Sequence, residues 1–167
     1  MLQSGDWITP RLNGILYFEK PALQYWAGGI SFLIFGINEF AARFWPGLTG
    51  FLAVFTVGIT ARRLYGNGLF AALAMAGALW VIANSHFLSL DTGLTFFLTV
   101  ALCAFVRSQQ DDATPKENRH GMWLAWAAMA GATLSKGLIG LVIPAATLCL
   151  YSLFCWDWRV WRRMHWL

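Results

Sequence analysis

Apolar positions in this chain come in long runs, not in the every-other pattern of a half-buried strand. Leu23–Gly36, Phe44–Ala61, Gly68–Ala83, Thr92–Val106, Met122–Ser135 and Leu138–Trp156 are almost free of charge. Uninterrupted runs of this kind suit helices in lipid, where every backbone N–H and C=O must be paired within its own segment. A comfortable crossing takes about 20 residues, with a range near 17–25. Phe44–Ala61 and Leu138–Trp156 reach that range. The shorter runs cross only if their polar ends snorkel or the bilayer thins. Ala71–Ala78 and Gly131–Gly140 are rich in small residues, which predicts helices packed at close range.

Leu23–Gly36 has a different character. Leu23, Trp26, Ile30 and Leu33 fall on one side of a helix, and Gln24, Gly28 and Ser31 on another. This weak amphipathicity reads as an interfacial or shallowly inserted helix opening at Pro21. The absence of charge leaves a full crossing open as the alternative. Ser108–Gly121 reads as a solvated linker. The expectation is an all-α integral membrane protein, with about five transmembrane helices plus one interfacial, juxtamembrane helix. Residues 1–43 form an outer loop carrying that helix, and residues 44–167 form the transmembrane bundle.

Composition sharpens the picture. Only 12% of the 167 residues are charged and 58% are hydrophobic, against about 25% charged in an ordinary soluble domain. The mean hydropathy is +0.55. The net charge of +4 is a topology signal, since no basic run interleaved with aromatics suggests nucleic acid. Arg62 and Arg63 follow the second run, Arg107, Lys116 and Arg119 the fourth, and Arg159, Arg162 and Arg163 the last. The positive-inside rule puts these eight of the twelve basic residues on the cytoplasmic side. Asn84–Asp91, Lys136 and the stretch before Phe44 then lie outside. Cys103, Cys149 and Cys155 have no CxxC partner or metal spacing and read as buried, inert thiols.

Chemistry has few places to reside. Asp91, at the outer mouth of a span, is costly unless it meets water, a cation or a ligand. It reads either as the N-cap of the helix starting at Thr92 or as a carboxylate aimed into an outer cavity. Lys136, in a tight turn before Gly137, reads either as a snorkelling side chain or as a cation for an anionic headgroup. Lys20, Glu19 and Arg11 share that outer side, where Glu19 and Lys20 could equally pair with each other. Glu39 and Arg43 suit a pair across one helical turn, and His86 reads as interface packing. No nucleotide-binding glycine loop, HExxH or nucleophile elbow occurs. A carboxylate and cations at an outer membrane face suit glycosyl transfer from a polyprenyl-phosphate carrier. The carboxylate would take the acceptor's proton, and cations would hold the departing phosphate.

The ordered set SGDWITPRLNGILYFEKPALQYW, IFGINEFAAR, ARRLYG, LDTGLTFFLTVAL and ATLSKG resembles the polyprenyl-phosphate-sugar glycosyltransferases of bacteria. These include the aminoarabinose transferase acting on lipid A and relatives of the dolichyl-phosphate-mannose protein mannosyltransferases. The resemblance covers essentially the whole chain and implies a membrane fold of GT-C type. It implies an active site on the periplasmic side of the bacterial inner membrane, between the first and second outer loops. Lys20 matches the lysine of the F-[ED]-K-P motif, implied to contact lipid phosphate. Asp91 matches a carboxylate implied to lie in the active-site cavity, and Lys136 matches the lysine of the L-x-K-G turn. Glu19 and Arg11 are added as weaker phosphate-side candidates.

Implied partners are the polyprenyl-phosphate sugar donor, a lipid A or protein acceptor and membrane lipid, with no nucleic acid. No metal ligand is assigned and no cofactor is required, with a divalent cation left open. Ala22 replaces the second proline of the usual K-P-P-L. The family's Asp-Glu motif belongs upstream of SGDW, and Asp6 does not substitute for it. The chain is therefore expected to be a piece truncated at both ends and inactive by itself. A transporter or flippase for lipid-linked substrates is the alternative, predicting broken helices or a mid-bilayer ion site. A non-catalytic membrane scaffold is the third reading.

Overall fold

A computed structural model describes Leu2 and residues 4–164. Met1, Gln3 and the last three positions of the expected 44–167 bundle lie outside the described residues. The chain opens in a short antiparallel hairpin, β1 Arg11–Leu12 and β2 Ile15–Leu16, with Arg11 opposite Leu16. Its turn is Asn13-Gly14, both at positive φ (52° and 83°). Asn-Gly is the pair that such a two-residue turn favours.

Eight helices follow among the described residues. Helix α1, Ala22–Phe35, has 14 residues and is about 21 Å long at about 1.5 Å per residue. That falls short of the roughly 30 Å hydrocarbon core. Trp26 Nε1 donates to the Trp7 carbonyl at 2.8 Å, and Ser31 Oγ to the Ala41 carbonyl at 2.5 Å. These bonds tie α1 to the preceding loop and to α2.

Helix α2, Glu39–Tyr65, runs 27 residues. It starts five residues before the predicted run. Asn38 caps it by accepting from Ala41 N at 2.8 Å, and Arg43 pairs with Glu39 at 3.9 Å. Gly66 at φ 78° ends it.

The predicted single run Gly68–Ala83 is instead two helices, α3 Leu69–Ala76 and α4 Leu79–His86, bent by 61°. The break falls at Gly77–Ala78, where Ala78 turns extended (ψ 119°).

Helices α5, Asp91–Ser108, and α6, Pro115–Lys136, form an antiparallel pair. The expected linker Ser108–Gly121 shrinks to the few residues between them. Thr114 and Glu117 close a capping box around Pro115 and start α6 seven residues, about two turns, before Met122. Helix α7, Ile139–Cys155, contains Pro144, and α8 is the short Arg159–Arg162.

Burial is inverted relative to a soluble protein. Ala41, Ala53, Ala101, Ala104, Ala125, Ala128 and Ala132 fill the centre, with hydroxyls such as Thr49 and Ser135. Large apolar side chains such as Phe51, Phe55, Leu73 and Leu150 point outward. Lipid tails are as apolar as leucine, so helices gain more from close backbone contact than from hiding bulk. Cys149 and Cys155 also lie on the exposed face of α7, which corrects their expected burial; Cys103 is half-buried.

By length and composition α2 and α5 can each cross a membrane, and the bent α3–α4 pair counts as a third crossing if taken as one span. The path of the chain requires that pair to traverse the bundle. Trp45 near the start of α2 meets Gly93 at the start of α5. Arg63 at the end of α2 meets Glu117 at the start of α6. The α3–α4 pair therefore carries the chain from one end back to the other. Ala72 of α3 packs on Gly58, and Ser85 of α4 on Gly50.

Close packing supplies a test. A Cβ at Gly140 would sit 2.5 Å from the α6 backbone at Ala132 and Thr133, whereas one at Gly47 meets nothing within 4 Å. Gly140→Ala is expected to cost about 1–3 kcal/mol. Gly47→Ala, in the interior of α2, is expected to be neutral or stabilising by up to about 1 kcal/mol. Thermal unfolding in detergent measures both, and equal melting temperatures would contradict the packing described.

Candidate functional site at the Asp91–Lys136 end of the bundle

The antiparallel α5–α6 pair brings the first residue of one helix against the last of the other. Asp91 opens α5 and Lys136 closes α6, and the Lys136 ammonium is in direct hydrogen-bonded contact with Asp91 Oδ1. Each charge suits its helix end, with carboxylate at the positive N-terminus and ammonium at the negative C-terminus. Both side chains remain a little under half exposed, 44% for Asp91 and 42% for Lys136.

Asp91 does not cap α5 in the expected way. Leu90 holds the N-cap position without a side-chain bond. The Asp91 amide donates to Ser89 Oγ at 2.9 Å, and the carboxylate faces Lys136. The C-cap Gly137, at φ 79°, donates its N–H to the Thr133 carbonyl at 2.7 Å. The tight turn thus stops α6 with Lys136 at the rim.

The other predicted residues lie on the segment leading into α1. Glu19 accepts from the Tyr17 hydroxyl at 3.0 Å. The alternative Glu19–Lys20 pair is not formed, because Glu19 faces Tyr17. Lys20 is exposed just before Pro21, the N-cap of α1. Arg11 stands in β1. Asp6 Oδ1 accepts from the Ile8 and Thr9 amides, each at 3.0 Å. The Thr9 and Ile8 N–H groups hold the Asp6 carboxyl below its ordinary range, with a further pull from the Arg11 charge. Among the described residues, no ion pair or hydrogen bond joins Lys20, Glu19 or Arg11 to Asp91 or Lys136.

His86 ends α4 with Nδ1 against the Ile82 carbonyl at 2.8 Å, a local contact. The described residues bring no three His, Cys, Asp or Glu side chains together, and Asp91 faces a cation.

Beside this rim, α1 and α2 enclose an apolar groove of about 370 Å³ lined by Leu23, Trp26, Ile30, Ile34, Phe44 and Leu48. It begins three residues after Lys20. Sequence reasoning treated Leu23, Trp26 and Ile30 only as one side of a surface helix. The spacing signal was present, but the wall supplied by α2 was not.

At the opposite end of the bundle, Arg63 pairs with Glu117 at 3.4 Å. Arg163 reaches Asp111 at 2.9 Å and the Gln109 carbonyl at 3.0 Å. The ends expected to be cytoplasmic are thus held together.

Partly exposed pairs contribute about 0–1 kcal/mol. Lys136→Met and Asp91→Asn are therefore each expected to lower stability by no more than about 1 kcal/mol, with a coupling of similar size in a double-mutant cycle. A cost of several kcal/mol by thermal unfolding would show that the pair is a structural strut and not a site placed at the rim.

The chain resembles proteins of known sequence and structure along nearly its whole length. An undecaprenyl phosphate-alpha-4-amino-4-deoxy-L-arabinose arabinosyl transferase 1 of Sodalis glossinidius is 35% identical over 159 residues, covering 92% of this chain and 28% of the relative. An uncharacterized protein of Aquifex aeolicus is 32% identical over 156 residues, covering 92% of this chain and 30% of its own. The crystal structure of ArnT from Cupriavidus metallidurans in the apo state superposes with a TM-score of 0.96 at 36% identity, over 99% of this chain and 31% of that one. The same protein bound to undecaprenyl phosphate gives 0.94 at 38% identity. The chain spans about 30% of the length of such relatives. The family model of dolichyl-phosphate-mannose-protein mannosyltransferase matches residues 1–167, and the chain belongs to that family.

Proposed function

We propose that this chain forms part of a membrane glycosyltransferase. The enzyme moves a sugar from a polyprenyl-phosphate carrier to a lipid A or protein acceptor at the periplasmic face of the bacterial inner membrane. The observation that carries the reading is the apolar groove between α1 and α2, which starts three residues from Lys20. A prenyl chain needs a water-free slot, and its phosphate needs a cation at the mouth of that slot. Lys20 supplies the cation. The ArnT structure bound to undecaprenyl phosphate shares this fold at 38% identity, which supports a polyprenyl phosphate as the ligand.

In this reading Lys136 binds the phosphate as it leaves and stabilises its growing charge. Asp91 accepts the proton of the attacking acceptor hydroxyl, or orients that hydroxyl. Their contact with each other holds both groups in place before substrate arrives. Glu19 fixes Tyr17 through its hydroxyl.

Five crossings are proposed: α2, the broken α3–α4 pair, α5, α6 and α7. Residues 1–43, with α1 at the interface, form the outer region, and residues 44–167 the bundle. Gathering of the basic helix ends by Arg63–Glu117 and Arg163–Asp111 supports a common cytoplasmic side for them. The broken helix is the feature that the transporter reading calls for. Its break at Gly77–Ala78 carries no ionisable side chain.

Two outcomes follow. Exchanging residues 1–167 for the matching segment of the Cupriavidus relative should preserve transfer of radiolabelled sugar from the polyprenyl carrier. Asp91→Asn or Lys20→Ala in the exchanged segment should then cut the rate by about 100-fold or more, as for a lost general base or phosphate contact. Unchanged rates would remove both residues from the site. For topology, thiol labelling of Ser4→Cys and Asn118→Cys should modify opposite membrane faces; labelling from one face refutes the crossing pattern.

A further inference from the structure

A second cleft opens on the outer side, apart from the groove and from the Asp91–Lys136 rim. It encloses about 450 Å³ between the hairpin, α1 and the loop before α5. Arg11, Tyr17, Gln24, Tyr25, Gly28 and Leu88 line it. Lys20, Asp91 and Lys136 do not. Its size falls within the range of small-molecule sites.

The lining has a specific chemistry. Among the described residues Arg11 is the only cation that lines it, and it has no carboxylate within ion-pair distance; Asp6 acts on it only through its field. A guanidinium in that position presents a fork of N–H donors that matches phosphate oxygens. Tyr17 and Tyr25 supply ring faces on which the C–H face of a sugar can lie. The Gln24 amide supplies both donor and acceptor for sugar hydroxyls. Gly28 leaves the floor open, since a Cβ there meets nothing within 4 Å. Its neighbour Gly29 is in contrast covered by the Trp7 ring.

We infer that this cleft is a separate subsite for a phosphorylated saccharide headgroup, with Arg11 on the phosphate and the two tyrosines and Gln24 on the sugar. The inference builds on the transfer reaction proposed above and assigns the acceptor to this cleft, leaving the polyprenyl-phosphate donor to the groove beside Lys20. It moves Arg11 from the donor phosphate to the acceptor.

The test measures binding to the full chain in lipid nanodiscs by isothermal titration. The probes are a bisphosphorylated glucosamine disaccharide, the same disaccharide without phosphate, inorganic phosphate and undecaprenyl phosphate. The bisphosphorylated disaccharide is expected to bind tighter than the unphosphorylated sugar or phosphate alone. Arg11→Gln and Gly28→Leu should each weaken it by about tenfold or more while leaving undecaprenyl phosphate binding unchanged. Gly28→Leu fills the cleft, whereas Arg11→Gln removes the charge without adding bulk, so the second variant decides if the first fails to fold. Several results would overturn the inference: no binding of the phosphorylated disaccharide, no change in Arg11→Gln, equal binding of inorganic phosphate, or parallel loss of undecaprenyl phosphate. Lys20→Ala reports on the donor reading separately. If it spares undecaprenyl phosphate binding while Arg11→Gln still loses the disaccharide, the donor assignment fails and the acceptor subsite stands.

Discussion

Close approach of α5 and α6 is the constraint from which the rest of the molecule follows. A Cβ at Gly131 would lie 2.6 Å from the Phe97 ring, and one at Gly121 would lie 2.8 Å from Ser108 Cβ. Only glycine lets the backbones come this near, and Ala101, Ala104, Ala125 and Ala128 continue the seam. In lipid there is little hydrophobic gain from association, so dispersion across a tight seam has to supply it. Because the pair is antiparallel and its loop short, the seam also fixes which residues meet at the far rim. Asp91 and Lys136 lie 45 positions apart in sequence and are brought together by packing between alanines and glycines that make no polar contact with either.

The remaining helices arrange themselves around that pair. The α2 helix lies alongside α5 in the same direction, so the bent α3–α4 pair has to return the chain across the bundle. The α1 helix leans on α2 and reaches α6, which sets the apolar groove between α1 and α2 and the Arg11 cleft beside α1. The two proposed substrates therefore approach the rim from different directions, the prenyl tail of one along the groove and the saccharide headgroup of the other by way of the cleft. Such separation suits a reaction that joins a membrane-borne donor to a polar acceptor hydroxyl.

Much of this was legible in the residues. The apolar runs located the helices, and the basic residues marked the ends that Arg63–Glu117 and Arg163–Asp111 hold together. Glu39 and Arg43 paired as their spacing required. Three local signals were passed over. Asn13-Gly14 announced a hairpin, Thr114-Pro115-Lys116-Glu117 announced a helix start inside an expected linker, and Gly77 marked a break inside an expected span. Each is a cap or turn effect written in one to four residues, easily lost beside a long apolar run. The Asp91–Lys136 contact was illegible for another reason. Each residue alone reads as a boundary charge, and only the direction and register of two helices determine that they meet. The groove and the outer cleft share that limit, since each is walled by elements distant in sequence.

The shortness of α1 and the bend between α3 and α4 act on the solvent as well as on the chain. All three helices pack on α2, and none alone matches the thickness of a hydrocarbon core. A bilayer meeting this flank accommodates the mismatch by thinning or by letting headgroups sink. Lipids that settle there are already partly withdrawn from their ordinary depth. In the proposed reaction, the work of drawing a phosphate inward to the mouth of the groove is thus shared between the side chains that receive it and the deformed membrane from which it comes.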